Sequence, residues 1–215
     1  MGALFVQQVH TVDQAKQAAE NGADVIIAQG DEAGGFGGAP GTIVLVPQVV
    51  DAVGPIPVVA AGGIADGRGL AAALALGASG VNVGTRFLAS TEAEIAEEWK
   101  QAIVHARSED TTRARFVTKL VPGTGLGGFD VAPRVLRTPF VEEWLGRDDD
   151  VERERDRLSG ELMQAAQEGR GHELTPITGE VAGMIDEILP AGEIVRRMVA
   201  RAQDAVAGVA VQFKE

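Results

Sequence analysis

Val58-Val59-Ala60-Ala61-Gly62-Gly63-Ile64-Ala65-Asp66-Gly67 runs from a short apolar segment, through paired glycines, into a helical pattern that Asp66 can cap. An apolar run of this length, bounded by turn residues, reads as a buried strand of a parallel sheet. The glycines that follow carry no side-chain bulk, so their main-chain N–H groups lie bare beside the N-terminus of the next helix. Those amides and the positive end of the helix dipole favour a phosphate dianion, and glycine lets the backbone come close enough to bond it. The same grammar returns at Gly80-Val81-Asn82-Val83-Gly84-Thr85-Arg86-Phe87: apolar strand, glycine, helix.

Two such loops on consecutive β/α units match the place where (β/α)8 barrels hold phosphate, after their last two strands. The ligand expected there is a phosphorylated cofactor or substrate. Working outward, residues 4–9 read as a strand, and Thr11-Val12-Asp13-Gln14 as a capping box opening a helix that stops at Gly22. Residues 25–28 form a second strand. A glycine-rich loop over 30–41 then leads to an apolar helix over 43–53, ended by Gly54 and Pro55. The strand over 58–61 is third and that over 80–83 fourth. Thr91 with Glu94 makes a further capping box before a helix to His105. A weak internal repeat supports the scheme. Gly22-Ala23-Asp24-Val25-Ile26-Ile27-Ala28-Gln29-Gly30 and Gly77-Ala78-Ser79-Gly80-Val81-Asn82-Val83-Gly84-Thr85 both pass from helix through a Gly-Ala turn and an apolar strand to a glycine.

The pattern predicts an α/β chain: a partial TIM (β/α)8-type barrel of about four β/α units on a parallel sheet over residues 1–107. A mostly helical extension over 108–215 packs on it. Within the extension, residues 119–140 are rich in Gly, Pro and Arg, and a charged helix is expected over 141–168. The acidic run Asp148-Asp149-Asp150 reads more readily as a solvated break. A last amphipathic helix is expected over 190–206, with Ile194, Val195, Met198 and Val199 on its apolar side.

Composition narrows the function. A chain of 215 residues with 45% hydrophobic residues can bury a real core, and its net charge of −12 argues against nucleic acid or an anionic membrane as partner. No cysteine is present, which excludes disulfides, thiolate catalysis and cysteine-ligated metals. Three scattered histidines without ligand spacing predict no metal site. No stretch approaches the roughly 18 consecutive apolar residues of a membrane helix. With no basic-then-apolar leader in view, the cytoplasm is the expected compartment.

Gln29-Gly30-Asp31-Glu32-Ala33-Gly34-Gly35, Ala61-Gly62-Gly63-Ile64-Ala65-Asp66-Gly67 and Gly84-Thr85-Arg86-Phe87, in that order, resemble the nitronate monooxygenase family, formerly called 2-nitropropane dioxygenases. The related flavin-dependent enoyl-acyl-carrier-protein reductases share the pattern. Gly179-Glu180-Val181-Ala182-Gly183-Met184-Ile185 is similar to the family's closing segment, so the likeness takes in the C-terminal half of the barrel and the C-terminal segment. Ala-Gly-Gly-Ile alone is common to many phosphate-binding barrels; the ordered set of three is the specific signal. The resemblance implies a TIM barrel that holds FMN without a covalent bond and oxidises alkyl nitronates with dioxygen. Gly63, Asn82, Val83, Gly84 and Thr85 would line the FMN phosphate with Gly62 beside them, while Gln29 and Gly34 would lie nearer the ribityl chain and the ring.

Two departures from the family shape the expectation. Where family members that dehydrogenate neutral nitroalkanes read Ala-Gly-Gly-His, with that His as base, this chain has Phe36. A phenyl ring has no lone pair to take a proton, so Phe36 either packs against flavin or an apolar substrate or fills the loop. The resemblance also begins at what corresponds to the fifth barrel strand. Four strands cannot close a barrel, so a second chain or an N-terminal half is expected to complete it. Two alternatives follow: a non-catalytic FMN- or phosphate-binding subunit, and an enzyme like the flavin-dependent enoyl-acyl-carrier-protein reductases.

Other residues carry competing readings. His10, at the rim after the first strand, is a candidate substitute base, though such a residue more often caps a helix or bonds a loop. Asp31 and Glu32 could orient substrate or move a proton, but tying down loop amides is the commoner use of short acidic side chains. Arg86 is read as close to phosphate rather than to a helix-end carbonyl. His105 suits the negative end of a helix dipole and His172 a polar surface turn, and Trp99 and Trp144 read as packing residues.

Overall fold

The computed structural model describes residues 2–37, 40–121 and 131–213. Its first part alternates β1 (Val6–Val9), α1 (Val12–Glu20), β2 (Val25–Gln29), a short β3 (Gly35–Gly37), α2 (Thr42–Val53), β4 (Val58–Ala61), α3 (Gly67–Ala75), β5 (Gly80–Asn82), α4 (Thr85–Leu88) and α5 (Glu97–His105). There follow β6 (Thr111–Arg113), α6 (Val117–Leu120), β7 (Ala132–Leu136), α7 (Pro139–Trp144), α8 (Asp148–Arg153), α9 (Arg155–Gln167), α10 (Gly171–Leu174) and α11 (Ala191–Gln212).

β1, β2, β4 and β5 form a parallel sheet in that order, with Val9 opposite Ala28, Gln29 opposite Ala61, and Ala61 opposite Asn82. Strand alternation sends Val9, Ile26, Ala28, Val58 and Ala60 to one face, where they share a buried core with Ala15 of α1, Leu45 and Val49 of α2, and Ala73 of α3. Leu45 is fully buried there, and trimming it to Ala would cost about 2–5 kcal/mol in lost contacts and cavity. The opposite face carries Gln8, Ile27 and Val59, which keep solvent contact. A (β/α)8 barrel turns that face inward, so the sheet has the form of a barrel segment with helices on its outer side. Among the described residues, β1 and β5 each have one strand neighbour.

The repeated Gly-Ala turns have a common geometry. Gly22 and Gly77 sit at φ of 82° and 93°, and each turn closes with the bond pair of a Schellman motif: Ala23 to Ala18 at 3.0 Å, and Ala78 to Ala73 at 3.1 Å. At the other helix ends, Asp66 accepts from the Arg68 and Gly69 N–H groups, as expected of an N-cap. Thr11 accepts from the Gln14 N–H at 3.2 Å, but the Gln14 carboxamide reaches past it to the His10 N–H at 2.6 Å.

Several expectations need correcting. The Thr91/Glu94 box does not cap α5, which begins at Glu97 after Ala96. Ser90 bridges to Leu189, and the Glu92 carboxylate accepts from the Ala191 N–H, so this segment serves the start of α11 instead. The single helix expected over 141–168 is three helices, broken at Gly146, whose φ is 77°, and again at Glu154. α11 runs on to Gln212, and of its four expected apolar-face residues only Ile194 and Met198 are buried; Val195 and Val199 stay about half exposed.

The extension also contains strands that its sequence did not announce. β3 pairs antiparallel with β7, and β7 with β6, so the glycine-rich loop after β2 is itself built into a second sheet. All five residues of Ala132–Leu136 are buried, so the alternation that marks a half-buried strand is missing. A second core forms behind this sheet from Phe116, Leu120, Val135, Phe140, Trp144 and Leu158. Trp144 is a packing residue, flanked by the Arg147 and Arg157 guanidinium groups at 5.0 and 5.7 Å from its ring. Part of the Gly/Pro/Arg-rich stretch over 119–140, residues 122–130, lies outside the described residues, as do residues 38 and 39 of the glycine-rich loop.

Candidate functional site

The register of β4 against β5 decides the site. Because Ala61 faces Asn82 across parallel strands, the residues that follow each of them leave the sheet side by side at its C-terminal rim. Gln29, at the end of β2, lies next to Ala61 on the other side. Gln29, Gly34, Gly62, Gly63, Asn82, Val83, Gly84 and Thr85 accordingly line one open cleft of about 230 Å³.

The backbone of the cleft is specialised. Gly62 and Gly63 have φ of 94° and 72°, a region that costs an L side chain about 1–2 kcal/mol. A Cβ on Gly62 would also come within 3.1 Å of the Gly30 carbonyl and of Ala33. At Gly34 an added Cβ would meet the Gly179 nitrogen at 2.7 Å, whereas at Gly84 it would meet nothing within 4 Å. Gly34 is therefore required by packing, and Gly84 leaves space open toward the cleft.

Among the described residues no Lys or Arg lines the cleft, so an anion there would be held by main-chain N–H groups and the polar side chains of Asn82 and Thr85. Glu32 does line it, but both its oxygens accept from the Thr42 N–H at 3.0 and 2.9 Å, and one accepts from the Thr42 hydroxyl at 2.8 Å. Its charge is thus committed to the N-terminus of α2, a dipole end that favours a carboxylate. This is the loop-fastening use of an acidic side chain.

Asp31 is likewise a fastener. Its carboxylate pairs with Arg113 at 3.1 Å and Arg134 at 3.0 Å, and Arg134 also reaches Glu180 at 2.9 Å. The Asp31 carbonyl accepts from both guanidinium groups, and Arg113 donates further to the Gly35 and Ala132 carbonyls. Burial holds the Arg113 pKa below its ordinary value, partly offset by Asp31. These arginines come from β6 and β7, so the second sheet clamps the loop that carries Gly34.

Arg86 does not approach the cleft. It is buried and donates to the carbonyls of Ala89, at 3.2 Å, and Glu187, at 2.8 Å, the helix-end role rather than the phosphate role. His10 is 7% exposed and lies beside the cleft, outside its lining; its main-chain N–H is bonded by Gln14, and its Nδ1 has no hydrogen-bond partner. Burial lowers its pKa, a hydrogen bond with the Gln29 main chain raises it, and the nearby Arg113 charge lowers it further, for a net shift downward. Phe36 is half-buried in β3, also outside the lining, and its carbonyl accepts from the Gln29 side chain at 3.0 Å. His105 Nδ1 bonds the Gln101 carbonyl at 2.7 Å in the last turn of α5. His172 is not a free surface residue: its ring lies against Trp99.

The sequence reading missed the far wall. Ile177, Gly179 and Val181 line the cleft from a segment nearly a hundred residues beyond Gly84. The Gly179 N–H donates to the Thr85 hydroxyl oxygen at 2.9 Å and the Glu180 N–H to the Glu32 carbonyl at 3.0 Å. The glycine at position 179, where a Cβ would meet the Gly34 nitrogen at 2.8 Å, was the available signal for this close approach. Among the described residues no three His, Asp or Glu side chains come together to hold a metal ion, and no helix is long and apolar enough to cross a membrane.

Known proteins share this fold. The chain is similar to nitronate monooxygenase npaC of Metarhizium robertsii, at 40% identity over 201 residues that cover 88% of this chain and 55% of that protein. In structure it resembles FabK from Thermotoga maritima, with a TM-score of 0.82 at 36% identity over 98% of this chain and 64% of that one. Nitroalkane oxidase from Streptomyces ansochromogenes superposes with a TM-score of 0.77 at 30% identity, covering 97% and 60%. The chain spans about half the length of the curated relatives it matches. The model of the nitronate monooxygenase family matches residues 1–201, and with this run of relatives the chain belongs to that family of oxidoreductases.

Proposed function

We propose that this chain binds FMN in the rim cleft and serves an oxidoreductase that converts alkyl nitronates with dioxygen. The observation that supports the reading is that Gly63 and Gly84-Thr85 line one cleft, where a single anionic group would meet both glycine turns. The residues fit the phosphate of FMN in three respects: the left-handed glycines leave their amides uncovered by side chains, Gly84 leaves space, and among the described lining residues the one carboxylate, Glu32, is already committed to Thr42. FMN, when bound, supplies the electron-transfer and dioxygen chemistry. The protein's part is to bind the phosphate, orient the ring near Gln29 and Gly34, and keep the loop rigid through Asp31, Arg113 and Arg134. The reading takes the cytoplasm as compartment.

Titration with FMN, followed by oxygen uptake on propyl-2-nitronate, tests the proposal. Saturable flavin binding that weakens with Gly84→Val, together with nitrite release, is the expected result. Flavin that does not bind at all would remove the chemistry and leave a phosphate-binding subunit. The FabK likeness favours a second reading, a flavin-dependent enoyl-acyl-carrier-protein reductase. Rapid anaerobic reduction of bound flavin by NADH or NADPH would select it.

The reading extends to the sheet edges. Further β/α units, on a second chain or on an N-terminal half, pair with β1 and β5 and cover Leu4, Phe5 and Val6, which are exposed beside the open edge of β1. Amide hydrogen exchange at β1 and β5 that slows when such units are supplied is the expected signature, and unchanged exchange would count against it.

A further inference from the structure

A cavity of about 470 Å³ shares none of the cleft's lining residues, yet the chain passes from one space directly into the other. Ile64 and Thr85 line the cleft, and the residues after them, Ala65 and Arg86, line this cavity. Its remaining walls come from the start of α3, the first turns of α11 and the segment between Gly183 and Leu189. Gly67 lets the two helices meet: a Cβ there would strike the main chain of Met198 and Ala202. That close crossing sets Arg197 and Arg201, one turn apart on α11, beside Arg68 of α3.

Four arginines face three carboxylates in this lining, a local positive excess in a chain whose net charge is −12. Asp66 caps α3 and pairs with Arg68 at 2.8 Å and Arg201 at 3.3 Å, while Glu187 pairs with Arg197 at 2.7 Å. Asp186 is exposed and makes no ion pair among the described residues. Arg68, Arg197 and Arg201 are each more than half exposed. Arg86 is different. It is 6% exposed, its Nη2 donates to the Ala89 and Glu187 carbonyls, and among the described residues no carboxylate lies within ion-pair distance of it. The buried arginines of the clamp, Arg113 and Arg134, both pair with Asp31. A buried cation held by neutral carbonyls alone is costly, and an anion would offset that cost. Nε and Nη1 of Arg86 bond no described protein atom, yet neither is sealed from solvent, so on a side chain this buried they open to the cavity it lines.

We propose that this cavity is a second anion site, which takes the phosphate group of a small organic phosphate on the open donors of Arg86, with Arg68, Arg197 and Arg201 around it. The inference is independent of the reading of the cleft. Guanidinium groups suit phosphate oxygens, and a dianion gains about twice the Coulomb energy of a carboxylate at the same distance. The acidic remainder of the chain does not forbid it, since charges beyond about 8 Å are screened at physiological salt. Met184, Leu189, Ile194 and Met198 supply apolar wall for the organic part of the ligand.

Inorganic phosphate and butyl phosphate, titrated into the isotope-labelled full chain at fixed pH and ionic strength, test the site directly, because arginine Nε–H groups give their own magnetic resonance signals. The Arg86 and Arg201 Nε–H signals should shift and saturate together, with butyl phosphate binding at least as tightly as phosphate, while acetate leaves both in place. Arg86→Lys should weaken phosphate by at least about tenfold. Arg201→Gln leaves Asp66 paired with Arg68 and should weaken it about threefold, whereas Asp186→Asn removes a repelling carboxylate and should tighten it about threefold. Arg201 and Asp186 are exposed, so these two variants report on the site even where Arg86→Lys does not fold. A gain in affinity is also something structural damage does not produce. Shifts confined to the amides of Gly63 and Gly84 would place the phosphate in the cleft and overturn the second site. So would acetate binding as tightly as phosphate, exclusion of the ester, or an Asp186→Asn variant with unchanged affinity.

Discussion

The Gly179 N–H donates to the Thr85 hydroxyl oxygen at 2.9 Å, a buried bond between residues 94 positions apart. It joins the turn after β5 to the segment that forms the far wall of the cleft. Thr85→Val keeps the shape and removes the acceptor, leaving a buried amide unpaired. The expected loss is about 1–3 kcal/mol in urea unfolding, together with weaker FMN binding. Thr85→Ser should recover both. A valine variant with the wild-type midpoint would mean that this tie does not hold the wall.

Two glycines of the same cleft should respond in opposite ways. A Cβ at Gly34 would press on the Gly179 nitrogen at 2.7 Å and the Thr178 carbonyl carbon at 2.9 Å, both main-chain atoms that cannot swing aside. Gly34→Ala is expected to destabilise by about 1–3 kcal/mol. Gly84→Ala meets nothing within 4 Å and has φ of −98°, so stability should stay within about 0.5 kcal/mol while FMN affinity falls. Thermal unfolding with and without flavin separates the two. Equal destabilisation in both variants would dissolve the distinction between packing glycine and ligand glycine.

What could be read from the chain follows the range of the interactions concerned. β2, β4, β5 and their caps are local: apolar runs, Gly22 and Gly77 at helix ends, and Asp66 at a helix start each announce themselves within a few residues. That the eight residues would share one cleft was legible because the glycines and strand ends that carry them follow neighbouring strands of one sheet. β7 was not, since a strand buried on both faces has no alternation to show, and its partner β3 is only Gly35–Gly37. Arg86 misled because its position after Gly84-Thr85 suggests phosphate, while the carbonyl that takes its guanidinium belongs to Glu187, a hundred and one residues on. The Ile177–Val181 wall escaped for the same reason of distance.

His10 supplies a pH signature. Its folded pKa is depressed, chiefly by burial, so around its ordinary value of about 6.5 the unfolded chain binds the proton more readily than the folded one. The contribution is fully present above the unfolded value and is lost as the pH falls toward the folded one. Arg113, the charged group beside it, stays cationic throughout. The depressed carboxyls of Asp66 and Glu92 act in a lower window, below about pH 4.5. Wild-type stability is expected to decline as the pH falls below about 6.5, and His10→Asn should flatten that slope. Parallel curves for the two proteins would show that His10 is not the group responsible.

If the proposed nitronate chemistry holds, Phe36 bears on which form of a nitro compound would be turned over. Its side chain offers no lone pair, and its carbonyl is already taken by the Gln29 carboxamide at 3.0 Å. Gln29 and Asn82 are amides, Glu32 is bound to the N-terminus of α2, and His10 lies outside the cleft lining, so among the described lining residues no group is placed to take a carbon-bound proton. General-base assistance is worth about 10²- to 10⁴-fold. A nitronate arrives without that proton and escapes the penalty. At one pH, with each form added fresh, 2-nitropropane should therefore be turned over at least about a hundredfold more slowly than propyl-2-nitronate. Matching initial rates would require a base outside the described lining residues, such as one on the strands proposed to complete the sheet.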